Sequence, residues 1–239
     1  MSLTGRMAGW LVGTATAATV LLATVAAPAH AQDGGPGVAV LSFENGGSYG
    51  KDKEDFGALR KGIAAMLIGE LAQNRNVRLV DRGEIQRLLD QQGVAVAERV
   101  DRETAVKIGK LVGARYVIAG TFIDLYGDFR IDARIIDVET GEIIKVVRSD
   151  PKLRDRQDMS RAIQSVAERI MVEAKLPPLP AGTVPRRAVP TEALALFSRA
   201  LLYQDRGDKV KAAEYYRKAL EIFPSYTEAS EGLRKAQSS

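Results

Sequence analysis

A proline-rich segment divides this 239-residue chain into two parts with different secondary-structure patterns. Residues 177–190 hold five of the nine prolines. Proline removes a backbone donor and fixes φ, so this composition favours an extended spacer. Strand and helix signals alternate before the segment, whereas every signal after it is helical. The pattern predicts an α/β domain at 32–176, a linker at 177–190 and an all-α domain at 191–239.

The first 31 residues have the pattern of an export signal. Arg6 is their only charge, residues 8–27 are rich in Ala, Leu, Val and Thr, and Ala29-His30-Ala31 has the small-x-small form of a cleavage site. We therefore expect a signal peptide at 1–31 and a periplasmic mature chain that begins at Gln32, with association to the outer membrane as a further option. A retained signal would instead anchor the protein in the inner membrane.

The composition of the mature chain excludes several classes of enzyme and metal site. The chain has no Cys, and its single His, His30, lies within the predicted signal. Catalytic triads need an imidazole as proton carrier, and zinc sites are built mainly from His and Cys. We predict no catalytic residue, no metal and no cofactor. Without disulfides, core packing alone must hold the fold together.

The charge distribution gives no support for binding nucleic acid. The formal net charge is +4, but residues 32–176 hold 23 basic and 23 acidic side chains. Much of the excess in the mature chain comes from Arg186 and Arg187 in the predicted linker. Binding to a phosphate backbone needs a continuous basic stripe. The partners that we expect are envelope proteins or further copies of this chain, with no small-molecule substrate.

The region before the linker predicts a mixed α/β sandwich. Strands are predicted from apolar or alternating runs at 37–43, 77–80, 116–123, 129–135 and 143–147. The run at 116–123 is apolar at nearly every position, as in a central strand that is covered on both faces. Helices are predicted from position 55, after the capping residues Asp81 and Asp101, and from about 158 to 175.

The region after the linker has the spacing of one tetratricopeptide (TPR) repeat. The matched positions are small, aromatic or turn-forming: Leu196, Ala200, Tyr203, Gly207, Ala212, Tyr216, Ala219 and Pro224. One repeat cannot bury its own core. The hairpin must therefore pack on the first domain, on another copy or on a partner.

Several segments of the first domain resemble CsgG-like envelope proteins. They are Val38–Asn45, Val80–Arg82 with Leu88–Gln92, Gly109–Gly120 and Ile135–Gly141. Their order and spacing cover about residues 37–148. The family includes the curli secretion channel, which is a ring in the outer membrane, and periplasmic lipoproteins that regulate cell-wall synthases or support flagella. The resemblance implies the periplasmic core fold. This chain lacks a lipidated Cys and the long inserts that would form membrane hairpins.

Two features at the ends of strands are candidates for chemistry. Residues 45–52 form a Gly-rich segment between a strand and a helix, which we expect to be a surface loop because the Walker spacing is not met. Glu44 and Asp81 each follow a strand and could form a carboxylate pair. We expect Asp81 to cap a helix, Glu44 to be solvated and Arg82 to anchor the strand–helix turn.

Two groups of residues are candidates for binding a partner protein. The first is Tyr203, Tyr215 and Tyr216 in the repeat, which otherwise belong to its core. The second is Arg130 and Arg134 on one side of the alternating strand, where the simpler interpretation is a solvated sheet face.

Three functions fit the sequence. The first is a non-enzymatic periplasmic adaptor or assembly protein that acts through protein–protein interaction. The second is a ring-forming assembly or secretion component of the outer membrane, as in the curli channel. The third is a nucleotide- or metal-dependent enzyme, which only the Gly-rich segment and the strand-end carboxylates support.

Overall fold

A computed structural model describes residues 35–49, 55–91, 100–177 and 188–238. All of these residues belong to one compact unit. The predicted signal peptide lies outside the described residues, as does most of the predicted linker. The division into two domains therefore stays a prediction, whereas the α/β sheet and the C-terminal helices are both present.

A six-stranded sheet forms the centre of the fold, with strand order β3-β1-β4-β5-β6 and β2 paired to β4. The strands are β1 Gly37–Val40, β2 Glu44–Tyr49, β3 Arg78–Leu79, β4 Tyr116–Leu125, β5 Asp128–Asp137 and β6 Ile143–Arg148. β1 runs parallel to β3 and β4, whereas β5 is antiparallel to both of its neighbours. The sheet is mixed and β4 is central, as the sequence predicts.

Helices cover both faces of the sheet. They are α1 Asp55–Ala72, α2 Arg82–Gln91, α3 Arg102–Leu111 and α4 Met159–Glu173. The core on one face includes residues of α1 and α4, and the core on the other face includes residues of α2 and α3. The side chain of Asp101 accepts a hydrogen bond from the Thr104 amide and caps α3, as predicted.

Three further helices follow the predicted linker: α5 Thr191–Asp205, α6 Lys209–Ile222 and α7 Thr227–Gln237. Gly207 joins α5 to α6 with φ of 78°, a left-handed conformation that favours glycine. Asp208 caps α6 by accepting from the Lys211 amide. The helical hairpin predicted from the repeat spacing is confirmed.

The Gly-rich segment differs from the sequence prediction. Glu44–Tyr49 is a strand rather than a surface loop, and it pairs in parallel with the outer half of β4. β1 ends at Val40, three residues earlier than predicted. The ten residues of β4 extend past β1 and leave backbone groups that β2 hydrogen-bonds. Among the described residues, no helix is long and apolar enough to cross a bilayer.

Candidate functional site

The repeat packs on helix α1 of the α/β part. Residues of α1, α4, α5, α6 and α7 belong to one continuous hydrophobic cluster. Gly62 of α1 faces Ser198 of α5 so closely that a Cβ at position 62 would lie 1.8 Å from Ser198 Oγ. Helix α1 therefore supplies the neighbouring surface that a single repeat needs in order to bury its core.

An ion-pair network holds the end of α5 against the α/β part. Arg82 donates two hydrogen bonds to the carboxylate of Asp205, at 2.8 Å and 2.9 Å, and Lys61 also binds this carboxylate. The Asp205 side chain is only 12% exposed. Burial alone would raise the pKa of Asp205, but the bonds and charges of Arg82 and Lys61 outweigh it and hold the pKa below its ordinary value.

An open groove of about 690 Å³ lies between α2 and the C-terminal helices. Its apolar floor includes Ile68 of α1 and Phe197 and Leu201 of α5. Its charged lining residues are Asp81, Arg82, Arg87, Asp90, Asp205, Glu228, Glu231 and Lys235. Five of these eight are acidic and three are basic, so the described lining of the groove carries a formal charge of −2. This interhelical groove joins surfaces from both parts of the chain.

Tyr216 lies in the wall of this groove and in the core of the repeat at once. It is fully buried, its ring centroid lies 5.9 Å from that of Phe197, and its hydroxyl donates to Gln204 Oε1 at 2.6 Å. Burial raises the pKa of the Tyr216 phenol well above its ordinary value, with Asp205 adding to the rise and Arg82 opposing it. The neutral phenol therefore acts here as a fixed hydrogen-bond donor.

Tyr203 and Tyr215 form a separate surface feature outside the residues that line the groove. Their rings stack at 5.4 Å with an interplanar angle of 5°. Arg206 and Lys211 lie over the Tyr203 ring, and Arg199 and Lys218 lie over the Tyr215 ring, within 5.1–6.0 Å of the centroids. The three predicted tyrosines therefore do not make one site, and their part in partner binding stays a prediction.

Arg130 and Arg134 lie on the exposed side of β5, as the alternation predicts. Asp132 pairs with Arg130 at 3.5 Å and with Arg148 of β6 at 3.3 Å. Arg134 pairs with Glu44 at 3.5 Å. This sheet face is a network of charged groups, and its role as a docking surface also stays a prediction.

The strand-end carboxylates have separate structural roles. Asp81 accepts hydrogen bonds from the Gly83 and Glu84 amides, which confirms it as the cap of α2. The expectation that Glu44 is solvated is wrong: Glu44 is 7% exposed and accepts a hydrogen bond from the Val100 amide at 2.9 Å. In the part of the chain that the structure describes, no cluster of three ligand-type side chains could hold a metal ion.

Two residues of the ion-pair network beside the groove were not predicted as site residues. Asp205 and Lys61 belong to predicted helices, where a charged residue ordinarily faces solvent, and only the packing of α5 on α1 brings them together. Arg82 was expected to anchor its local turn, but its guanidinium reaches Asp205, which lies 123 positions later in the chain.

Two protein-family models match the chain. Residues 18–128 match the model described as curli production assembly/transport component CsgG, and residues 193–226 match the tetratricopeptide repeat. The first match includes part of the predicted signal peptide. No curated protein was found to match the sequence significantly.

Several solved structures are similar to part of this chain. The C-terminal domain of LpoB from Salmonella enterica is 25% identical over 48% of this chain and 81% of its own, with a TM-score of 0.37. TolB from Acinetobacter baumannii is 12% identical over 59% of this chain and 29% of its own, with a TM-score of 0.37. The PelC dodecamer from Paraburkholderia phytofirmans is 15% identical over 60% of this chain and 90% of its own, with a TM-score of 0.31.

The family matches agree with the order of elements in the structure. The CsgG match extends from before β1 into the start of β5, and the repeat match covers α5 and α6. The repeat and the predicted resemblance to CsgG up to residue 128 are therefore confirmed, whereas the predicted segment Ile135–Gly141 lies beyond the matched range. The chain contains an α/β part similar to CsgG, followed by a TPR-like repeat.

Proposed function

We propose that this protein is a non-enzymatic adaptor or assembly protein of the periplasmic cell envelope that acts through protein–protein interaction. The observation that carries the proposal is the groove between α2 and the C-terminal helices. It has an apolar floor, and both the CsgG-like part and the repeat supply its walls. A TPR hairpin is a binding module, and the family model at the first part describes an assembly and transport component.

The chemistry of the groove indicates the kind of partner. Its formal charge of −2 and the exposed Glu231 at its rim favour a segment that carries Lys or Arg. The apolar floor favours one or two apolar side chains in the same segment. We infer that the partner presents a basic segment with apolar anchors.

Site-specific photocrosslinking in cells tests this proposal. A photoreactive residue at Lys235, which lines the groove, should capture a discrete envelope protein, whereas one at the exposed Val210, which does not line it, should not. The captured protein should then bind the purified chain, and Glu231→Lys should weaken this binding about tenfold, or about 1.4 kcal/mol. Glu221→Lys, on the exposed side of α6, is the matched control and should leave binding unchanged. Equal crosslinking at both positions would contradict the proposal.

A second candidate is the ring-forming outer-membrane component. The observation that favours it is strand β6, which exposes Ile143, Ile144 and Val146 and, among the described strands, pairs with β5 alone. An exposed apolar edge is a template for pairing with another chain. The absolute mass of residues 32–239, measured by light scattering with and without detergent, separates the candidates. A monomer or dimer that is indifferent to detergent supports the adaptor, and a ring of many copies supports the second candidate.

A further inference from the structure

A cavity of about 160 Å³ lies at the carboxyl end of strand β1. β1 and β3 are parallel neighbours, but the helix α1 that precedes β3 and the helix α2 that follows it pack on opposite faces of the sheet. The chain segments that follow β1 and β3 therefore turn to opposite faces of the sheet and leave a crevice at the carboxyl ends of these strands. Ligands of open α/β sheets bind in crevices of this kind.

The walls of the cavity have one polar end and one apolar end. Ser42, Lys61 and Arg82 provide the polar groups, and Arg60 adds a cation whose Nε donates to the Phe43 carbonyl oxygen. The apolar walls come from Ile85, Leu89, Val100, Ile108 and Leu202. Of the described residues that line the cavity, none is acidic. This distribution suits a ligand with an anionic head and an apolar tail.

The charge balance at the polar end favours an added anion. Lys61 and Arg82 are 19% and 15% exposed, and they share the single carboxylate of Asp205. Ammonium and guanidinium groups together offer eight N–H donors, and their bonds to Asp205 use three of these. Two half-buried cations with one carboxylate leave a surplus positive charge, which a second carboxylate would offset.

We propose that this cavity binds a small monocarboxylate with a short apolar tail. The carboxylate accepts hydrogen bonds from Lys61, Arg82 and Ser42, and the tail lies against Leu89 and Ile108. The volume limits the ligand to about six to eight non-hydrogen atoms, because a dry cavity of about 150 Å³ accommodates benzene. Nucleotides and peptides are too large. The proposal does not depend on a partner in the groove.

Amide chemical-shift titration of isotope-labelled residues 32–239 with sodium butyrate tests the proposal. Sodium chloride and butylammonium chloride at the same ionic strength are the ligand controls. We expect saturable shifts at the amides of Ser42, Gly57 and Gln86 with butyrate alone. Lys61→Met, which keeps the apolar stem and leaves Arg82 paired with Asp205, should weaken butyrate binding at least tenfold. Lys218→Met, at an exposed cation of α6, should leave it unchanged.

Three results would overturn the inference. The first is the same shifts with chloride as with butyrate, which would mean binding of simple anions only. The second is unchanged butyrate affinity in Lys61→Met. The third is the absence of saturable shifts at the cavity in the wild-type protein, or saturable shifts at amides away from it. Because this measurement uses the wild-type protein, it tests the proposal even if Lys61→Met does not fold.

Discussion

The close approach of α1 and α5 at Gly62 gives a prediction with a matched control in the same helix. A Cβ at Gly62 would lie 1.8 Å from Ser198 Oγ and 2.8 Å from Ser198 Cβ. Rotation of the Ser198 side chain removes the first contact but not the second, so α5 must shift. A Cβ at the exposed Gly57 would meet no described atom within 4 Å. Substitution of Gly57 by Ala therefore changes helix propensity alone, whereas substitution of Gly62 by Ala changes helix propensity and packing together.

Both substitutions to Ala should gain about 1 kcal/mol of helix propensity. Gly57→Ala keeps this gain, whereas Gly62→Ala also loses about 1–3 kcal/mol to overpacking. The two variants should therefore differ by about 1–3 kcal/mol in the free energy of unfolding. At about 2–4 °C per kcal/mol for a chain of this size, this corresponds to a difference in Tm of about 2–12 °C.

Urea denaturation and differential scanning calorimetry of both variants measure this difference. Ser198→Gly in the Gly62→Ala background should restore part of the loss, because it removes both atoms of the clash. The coupling energy from the double-mutant cycle should be at least 0.5 kcal/mol in the favourable direction. Equal stability of Gly57→Ala and Gly62→Ala would refute the contact between α1 and α5, and with it the argument that α1 completes the core of the repeat.

Three further predictions concern the same helices. Asp205→Asn should lower the free energy of unfolding at pH 7 by about 1–3 kcal/mol, since Arg82 and Lys61 lose their carboxylate. Because the pKa of Asp205 is lowered on folding, the stabilisation is present above about pH 4 and is lost as the pH falls further, so the deficit of the variant in urea denaturation should shrink there. Tyr216 should stay protonated above pH 10 in the folded protein, because its pKa is raised. An absorbance titration at about 295 nm should show at least one phenolate fewer than the same titration in denaturant, and a full count in the folded protein would contradict the burial of Tyr216. Gly207→Ala should lower the free energy of unfolding by about 1–2 kcal/mol in urea, because φ of 78° is unfavourable for Ala, and an unchanged midpoint would show that the turn adapts.

Local signals account for the part of the fold that could be predicted. Asp101 and Asp81 mark the starts of α3 and α2 because a carboxylate that accepts from the next turn needs no tertiary contact. The alternation from Phe129 to Ile135 identifies β5 because one face of the strand packs in the core and the other faces water. Each of these patterns can be recognised from a few consecutive residues, without knowledge of tertiary contacts.

Strand β2 could not be predicted because its own residues have low strand propensity. Glu-Asn-Gly-Gly-Ser-Tyr contains two glycines and no β-branched residue. The strand forms because β4 is long enough to offer backbone groups beyond the end of β1. Tertiary context, rather than local preference, decides the conformation of this segment.

The groove and the cavity were also beyond prediction, for a related reason. Lys61, Arg82 and Asp205 lie on three different helices, and in sequence each has the pattern of an ordinary charged residue in a helix. From sequence, Gly62 would be expected to weaken α1. Its short distance to Ser198 of α5 explains why a glycine stands at this position. Pairings of this kind depend on how helices pack, which the spacing of apolar residues within one helix does not determine.

The shared use of α1 has a consequence for the order in which the chain can complete its fold. α1 ends at Ala72, whereas α5, which covers it, begins at Thr191. During synthesis from the N-terminus, the part of α1 that packs on α5 must therefore stay uncovered until more than a hundred further residues have emerged. Contacts of such long range close slowly and leave intermediates exposed to aggregation. The C-terminal hairpin is thus the final step in the maturation of the α/β part, and a chain that stops before residue 191 would carry an unfinished surface.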